Sequence, residues 1–131
     1  MQTLGLRHVA LNVKNAQISK NFYTELFGMT LEWEPDPKNM YLTSQGQDNL
    51  ALHENPNLQL DLSQQSLDHF GFAMRSPADV DELYEKAVAR GTIIVAKPKQ
   101  HRDGAYSFYM RDPDGYVVQL IYHPPIVKTC T

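Results

Sequence analysis

At 131 residues the chain has the length of one domain, enough to bury a real core but too short for two independent ones. Hydrophobic residues at 42% and charged residues at 21% are the balance of a folded globular protein and exclude a disordered or fibrous chain. A formal net charge of only -3, without long charge runs, speaks against nucleic acid or an anionic membrane as a partner, and no apolar stretch approaches the roughly 20 residues of a membrane span.

The opening Met1-Gln2-Thr3-Leu4 lacks the basic and apolar regions of a secretory signal, so the cytoplasm is the expected location. From there Val9, Leu11 and Val13 alternate with His8, Ala10 and Asn12, the period of a half-buried strand. A helix follows, with Ile18, Phe22, Tyr23, Leu26 and Phe27 at helical spacing, Asn15 as N-cap and Gly28 as C-cap. Three short strands are expected at Thr30 to Glu34, Met40 to Ser44 and Leu50 to Glu54, separated by Pro35-Asp36-Pro37 and Gln45-Gly46-Gln47-Asp48 turns. Asn55 to Ser66 is polar and Gln-rich and reads as a linker, with Leu58, Leu60 and Leu62 suggesting that part of it packs.

Leu6-Arg7-His8-Val9-Ala10-Leu11 then recurs as Leu67-Asp68-His69-Phe70-Gly71-Phe72, with the histidine in the same place. The second copy repeats the order of the first. A strand runs from Asp68 to Met74, and a helix from Ala78 to Arg90 is opened by Ser76-Pro77 and closed by Gly91. Strands at Thr92 to Ala96, Ala105 to Met110 and Tyr116 to Tyr122 follow, the last two joined by the turn Asp112-Pro113-Asp114-Gly115. Lys97 to Arg102 reads as a solvated basic turn, and His123, before Pro124-Pro125, as a strand terminus. Cys130 has no partner for an intrachain disulfide and is expected as a free thiol near the chain end. The expected fold is α+β: two tandem βαβββ modules, 4–55 and 67–123 with a 56–66 linker, forming one domain. Their curled, barrel-like mixed sheet would enclose a cavity and carry the helices outside.

Strand alternation sorts the polar side chains by face. Val9, Leu11 and Val13 take the helix side and turn His8 away from it; Phe70, Phe72 and Met74 do the same for His69, beside the small Gly71 and Ala73. Leu50 and Leu52 leave His53 and Ala51 facing inward, Tyr109 shares a face with Ser107, and Gln119 is a lone polar group in the apolar run Val117-Val118-Gln119-Leu120-Ile121. A buried polar group needs a hydrogen-bond or metal partner. His8, His53, His69, Tyr109 and Gln119 are therefore candidates for one polar-lined cavity. Two imidazoles and one oxygen donor would leave three octahedral positions of a divalent ion open, which suits a substrate binding through two adjacent oxygens.

The helix end Phe22-Tyr23-Thr24-Glu25-Leu26-Phe27-Gly28-Met29, the paired strand histidines, and Arg111-Asp112-Pro113-Asp114-Gly115-Tyr116 before the last strand together resemble the vicinal-oxygen-chelate superfamily. That group includes glyoxalases, bleomycin-resistance proteins and extradiol dioxygenases. The resemblance implies a divalent metal (Fe, Mn, Ni or Zn) held by His8, His69 and the residue at the centre of the eighth strand. Here that residue is Gln119, where most active members carry a carboxylate. It also implies a homodimer with a small-molecule substrate or ligand. The leading expectation is a metal-dependent lyase or isomerase of glyoxalase type, with oxygenation second. His53 would then be catalytic and substrate-contacting, and Tyr109 substrate-contacting. The rival expectation is a metal-free module that sequesters a hydrophobic or cationic small molecule, as bleomycin-resistance proteins do.

Overall fold

The structure, a computed structural model, describes residues 1–59, 61 and 66–129, with side chains described as far as 126. The thiol of Cys130 and residues 60 and 62–65 of the expected linker lie outside these residues. The chain divides into two compact units, Met1–Gln59 and Leu60–Thr131.

In the first unit β1 (His8–Val13) leads into α1 (Ala16–Phe27), then β2 (Thr30–Asp36), β3 (Asn39–Thr43) and β4 (Asn49–Glu54). The sheet order is β1-β4-β3-β2, with β1 parallel to β4 and the other pairs antiparallel. The helix starts where Asn15 Oδ1 accepts the Ile18 N–H at 3.0 Å and Glu54 Oε1 accepts the Ala16 N–H at 2.9 Å, which satisfies two otherwise unpaired amides of the first turn. It stops at Gly28, whose φ of 69° is left-handed and costs a glycine little. Leu11, Val13, Phe22, Tyr23, Leu26, Met40, Leu42, Leu50 and Leu52 are buried. This core lies between one face of the sheet and α1, as the period-two and helical patterns require.

The second unit repeats the plan with β5 (Phe70–Ala73), α2 (Pro77–Ala89), β6 (Ile94–Gln100), β7 (Tyr106–Arg111) and β8 (Val117–Tyr122), in the order β5-β8-β7-β6. Ser76 Oγ caps α2 by accepting the Asp79 N–H at 3.1 Å. Val80, Leu83, Ala87, Phe108, Met110, Val118 and Leu120 are buried. The two βαβββ modules of an α+β fold thus follow the expected order.

Several local features depart from the expected element boundaries, among them β2, which runs on through Pro35 to Asp36 where a turn was expected. Strand β5 starts at Phe70, so His69 precedes it, and β6 continues through Pro98 to Gln100 where a turn was expected. Proline is tolerated there because β6 is an edge strand and needs no N–H on its open side. A short helix, α3 (Pro124–Thr129), follows His123; Pro124 at its first position loses only an amide that has no helical partner anyway. Among the described residues no helix is long and apolar enough to cross a membrane.

Candidate functional site

Each module presents a polar sheet face opposite the one its helix covers. In module one the register places Asn49 beside His8, Ala51 beside Ala10 and His53 beside Asn12. His8 Nδ1 meets Asn49 Oδ1 at 2.8 Å, and Asn49 Nδ2 donates to Glu32 Oε1 at 3.1 Å. A carboxylate can only accept, so Glu32 turns the amide nitrogen of Asn49 toward itself and its oxygen toward His8. The amide oxygen in turn requires the proton of His8 on Nδ1, which leaves the Nε2 lone pair of the neutral ring available.

The same device stands at the other end of the face. His53 Nδ1 meets Asn39 Oδ1 at 2.7 Å, and Asn39 Nδ2 lies 3.1 Å from both oxygens of Asp36. The Asn39 amide, with the Lys38 N–H behind it, holds the Asp36 carboxyl below the usual carboxylate range, so it accepts as the anion. His53 Nε2 is therefore the acceptor end of its ring. His8 and His53 are separated by four strand positions, about 13 Å at 3.3 Å per residue. They occupy different ends of the module rather than one point. Between them Tyr41 touches the His53 ring edge-on at 5.9 Å and stacks on Trp33 at 5.1 Å; Trp33 is 59% exposed.

In module two the polar residues form one connected set. His69 Nδ1 lies 2.5 Å from Asp68 Oδ1, which again puts the proton on Nδ1 and leaves the Nε2 lone pair available. The His69 ring packs edge-on against Tyr109 at 5.1 Å. Gln119, opposite Tyr109 in the β7/β8 register, donates from Nε2 to Tyr109 Oη at 2.9 Å and to Ser107 Oγ at 3.1 Å. Ser107 is buried, and its hydroxyl also meets His101 Nε2 at 3.1 Å. On the other side of Gln119 stands Gly71, where an added Cβ would lie 3.1 Å from the Gln119 carbonyl oxygen and 3.6 Å from Oε1. The missing side chain lets Gln119 pack closely against the β5 backbone.

The structure thus brings His69, Tyr109 and Gln119 together in module two and places His8 and His53 apart in module one. Among the described residues no three His, Cys, Asp or Glu side chains converge on a common point. The donor set expected from sequence contains only two such residues, His8 and His69, with the amide of Gln119. Each imidazole has Nδ1 engaged and keeps an Nε2 lone pair, and Gln119 carries an amide oxygen, donor types that suit a divalent ion. Sequence reasoning missed the groups that orient them: Glu32, Asn49, Asp36, Asn39, Ser107 and His101. Only Asp68, adjacent to His69 in the chain, was visible beforehand. Asp112 is a turn residue, accepting the Asp114 and Tyr116 N–H groups at 3.0 Å each.

A family model described as the Glyoxalase/Bleomycin resistance protein/Dioxygenase superfamily matches residues 5–120. The chain belongs to that superfamily. Among curated relatives, a protein named metallothiol transferase FosB from Shouchella clausii is 27% identical over 117 residues, covering 88% of this chain and 78% of its own. A trivalent organoarsenical cleaving enzyme from a Bacillus species is 28% identical over 126 residues, covering 92% and 74%. Among solved structures, a glyoxalase/bleomycin resistance protein/dioxygenase domain from Frankia aligns over 93% of this chain and 99% of its own, with a TM-score of 0.80 at 21% identity. That likeness speaks for the fold.

Proposed function

We propose that this superfamily member is a divalent-metal-dependent enzyme acting on a small substrate with two vicinal oxygens, by lyase or isomerase chemistry of the glyoxalase kind. His8, His69 and Gln119 are its metal ligands. The observation that carries this reading is the tautomer of the two imidazoles: each has Nδ1 tied to a side-chain oxygen, that of Asn49 being held in turn by Glu32, so each offers Nε2 as a lone pair. Metal-binding histidines are oriented by partners of this kind on the ring nitrogen that faces away from the ion. A bound divalent ion would act as a Lewis acid on a substrate carbonyl.

The chain's own residues divide the remaining work. Tyr109 presents a hydroxyl beside His69 and contacts substrate. His53 offers Nε2 as an acceptor, with Asn39 and Asp36 holding the ring in that tautomer; about 13 Å along the strands from His8, it meets an outlying polar group of the substrate and takes no proton at the metal-held oxygens. The neutral amide at position 119 leaves the donor set one negative charge short of the usual carboxylate. The working unit is a cytoplasmic homodimer.

The test is elemental analysis of untagged protein after incubation with Mn, Fe, Ni or Zn. Stoichiometric metal that is lost in His8→Ala and in His69→Ala is the expected result, with a loss of about 10–100-fold in affinity for Asp68→Asn. Metal retained in both histidine variants would overturn the assignment. A second reading, a metal-free module that sequesters its ligand, is favoured by Trp33, which stacks on Tyr41 yet stays 59% exposed. It predicts no stoichiometric metal and a thermal stability that added metal leaves unchanged.

A further inference from the structure

We infer that Ser107 and His101 are positioning residues that lock the amide of Gln119 with its oxygen toward Gly71 and its nitrogen away from it. The inference rests on Gln119 being a metal ligand, and it supplies what a neutral amide needs and a carboxylate does not. The two ends of a glutamine differ: only the oxygen can bind a cation, and the NH2 would turn two hydrogens toward it. A glutamine used as a ligand must therefore be held in one of two orientations that are nearly equal in shape.

The hydrogen-bond network does this by accounting for every proton. Gln119 Nε2 has two hydrogens, one given to Ser107 Oγ at 3.1 Å and one to Tyr109 Oη at 2.9 Å. With His101 in the tautomer whose Nε2 is the acceptor, the hydrogen of Ser107 goes to that nitrogen at 3.1 Å. With that hydrogen committed, Ser107 has only a lone pair for position 119, and the reversed amide would set oxygen against oxygen. Ser107 is 1% exposed, which keeps water from substituting for either partner. Tyr109 uses its oxygen toward Gln119, and among the described residues no acceptor takes its hydrogen. That hydrogen is left for an oxygen of the bound substrate. The Oε1 of Gln119 faces the Cβ position missing at Gly71, 3.6 Å away.

A carboxylate at 119 has two equal oxygens and needs no such lock, so the role of Ser107 depends on the residue it orients. Ni²⁺ binding by calorimetry to wild type, Ser107→Ala, Gln119→Glu and the double variant reads this out. Ser107→Ala weakens Ni²⁺ about tenfold in the wild-type background, the scale of an outer-sphere contact, and changes it less than about threefold in the Gln119→Glu background. Equal losses in both backgrounds, as a merely structural role would give, overturn the inference. A metal-free measurement separates it from the ligand assignment. The side-chain NH2 pair of Gln119, identified in 15N spectra by its disappearance in Gln119→Glu, exchanges slowly in wild type and rapidly in Ser107→Ala. Rapid exchange in wild type overturns the lock. Slow exchange without Ni²⁺ binding sustains the lock and sinks the metal reading alone.

Discussion

Tyr41 and Tyr109 stand at equivalent places in the two modules, each on the third strand and facing the fourth. Opposite Tyr41 the register places Ala51; opposite Tyr109 it places Gln119. The first strands differ to match, with Ala10 beside Ala51 and Gly71 beside Gln119. One scaffold has thus been filled in two ways. Module one keeps small residues at the centre of its face and places histidines at the two ends, each on its own acid–amide–imidazole chain. Module two brings an amide to the centre, has no facing side chain at Gly71, and joins Tyr109, Gln119, Ser107 and His101 by hydrogen bonds into one network. The lesson is that duplication repeats the frame, while the chemistry depends on which pair of facing positions receives a long polar side chain and which receives a small one.

Three experiments would break or sharpen this comparison. The largest effect is expected from Phe108→Ala, which empties a fully buried position between the module-two sheet and α2, where Phe108 packs edge-on against Tyr84 at 5.3 Å. A loss of about 3–5 kcal/mol is expected in chemical denaturation. A loss below about 1 kcal/mol would mean that the module-two core is not packed as described.

A smaller and asymmetric effect is expected at the facing pair. Gly71→Ala forces a methyl to 3.1 Å from a backbone oxygen and should cost about 1–3 kcal/mol while disturbing the Gln119 side chain. Ala10→Gly, at the matching position of module one, should cost no more than about 1 kcal/mol, the ordinary penalty of glycine in a strand. Equal costs at the two positions would erase the distinction between the modules.

The smallest effect concerns Tyr106, which donates to Asp81 Oδ1 on α2 at 2.6 Å. That bond and the nearby carboxylate favour the neutral phenol and raise its pKa above 10.0. Because the folded-state pKa is the higher one, the stabilisation is complete below the unfolded value and fades as pH rises through the folded value. Asp81→Asn should bring phenolate absorption to lower pH, as read from the difference spectrum against Tyr106→Phe. An unchanged titration would remove this link between α2 and β7.

Much of the frame was legible before any coordinates. Alternation at Val9, Leu11 and Val13 assigned the helix-facing side of β1, and Asn15, Gly28 and Ser76 marked helix ends through side-chain oxygens and a left-handed glycine. The repeat around His8 and His69 announced two modules. Strand pairing was not legible, since Asn49 meets His8 across 41 residues through a parallel register that no local pattern encodes. For the same reason His101, read as part of a solvated turn, was not connected to Ser107: β6 runs on through Pro98, and proline is a strand breaker except at an edge. The Pro124-Pro125 pair was read as a stop, yet proline suits a helix's first turn as well as a loop. Candidate residues could be read off one by one. Asp68, the partner of His69, is its chain neighbour, but the partners that set the tautomers of His8 and His53 could not be read, because Asn49 and Asn39 lie on other strands.

Trp33 is the single tryptophan of the chain, and it lies on β2 within van der Waals reach of Tyr41, whose ring in turn meets His53. Indole emission is therefore a native optical probe confined to one half of the duplicated frame. A small molecule that settles near Tyr41 should change its colour or intensity without any label, whereas events around Gln119 reach it only if the halves communicate. Titrating a compound while watching this one fluorophore would show which half receives it.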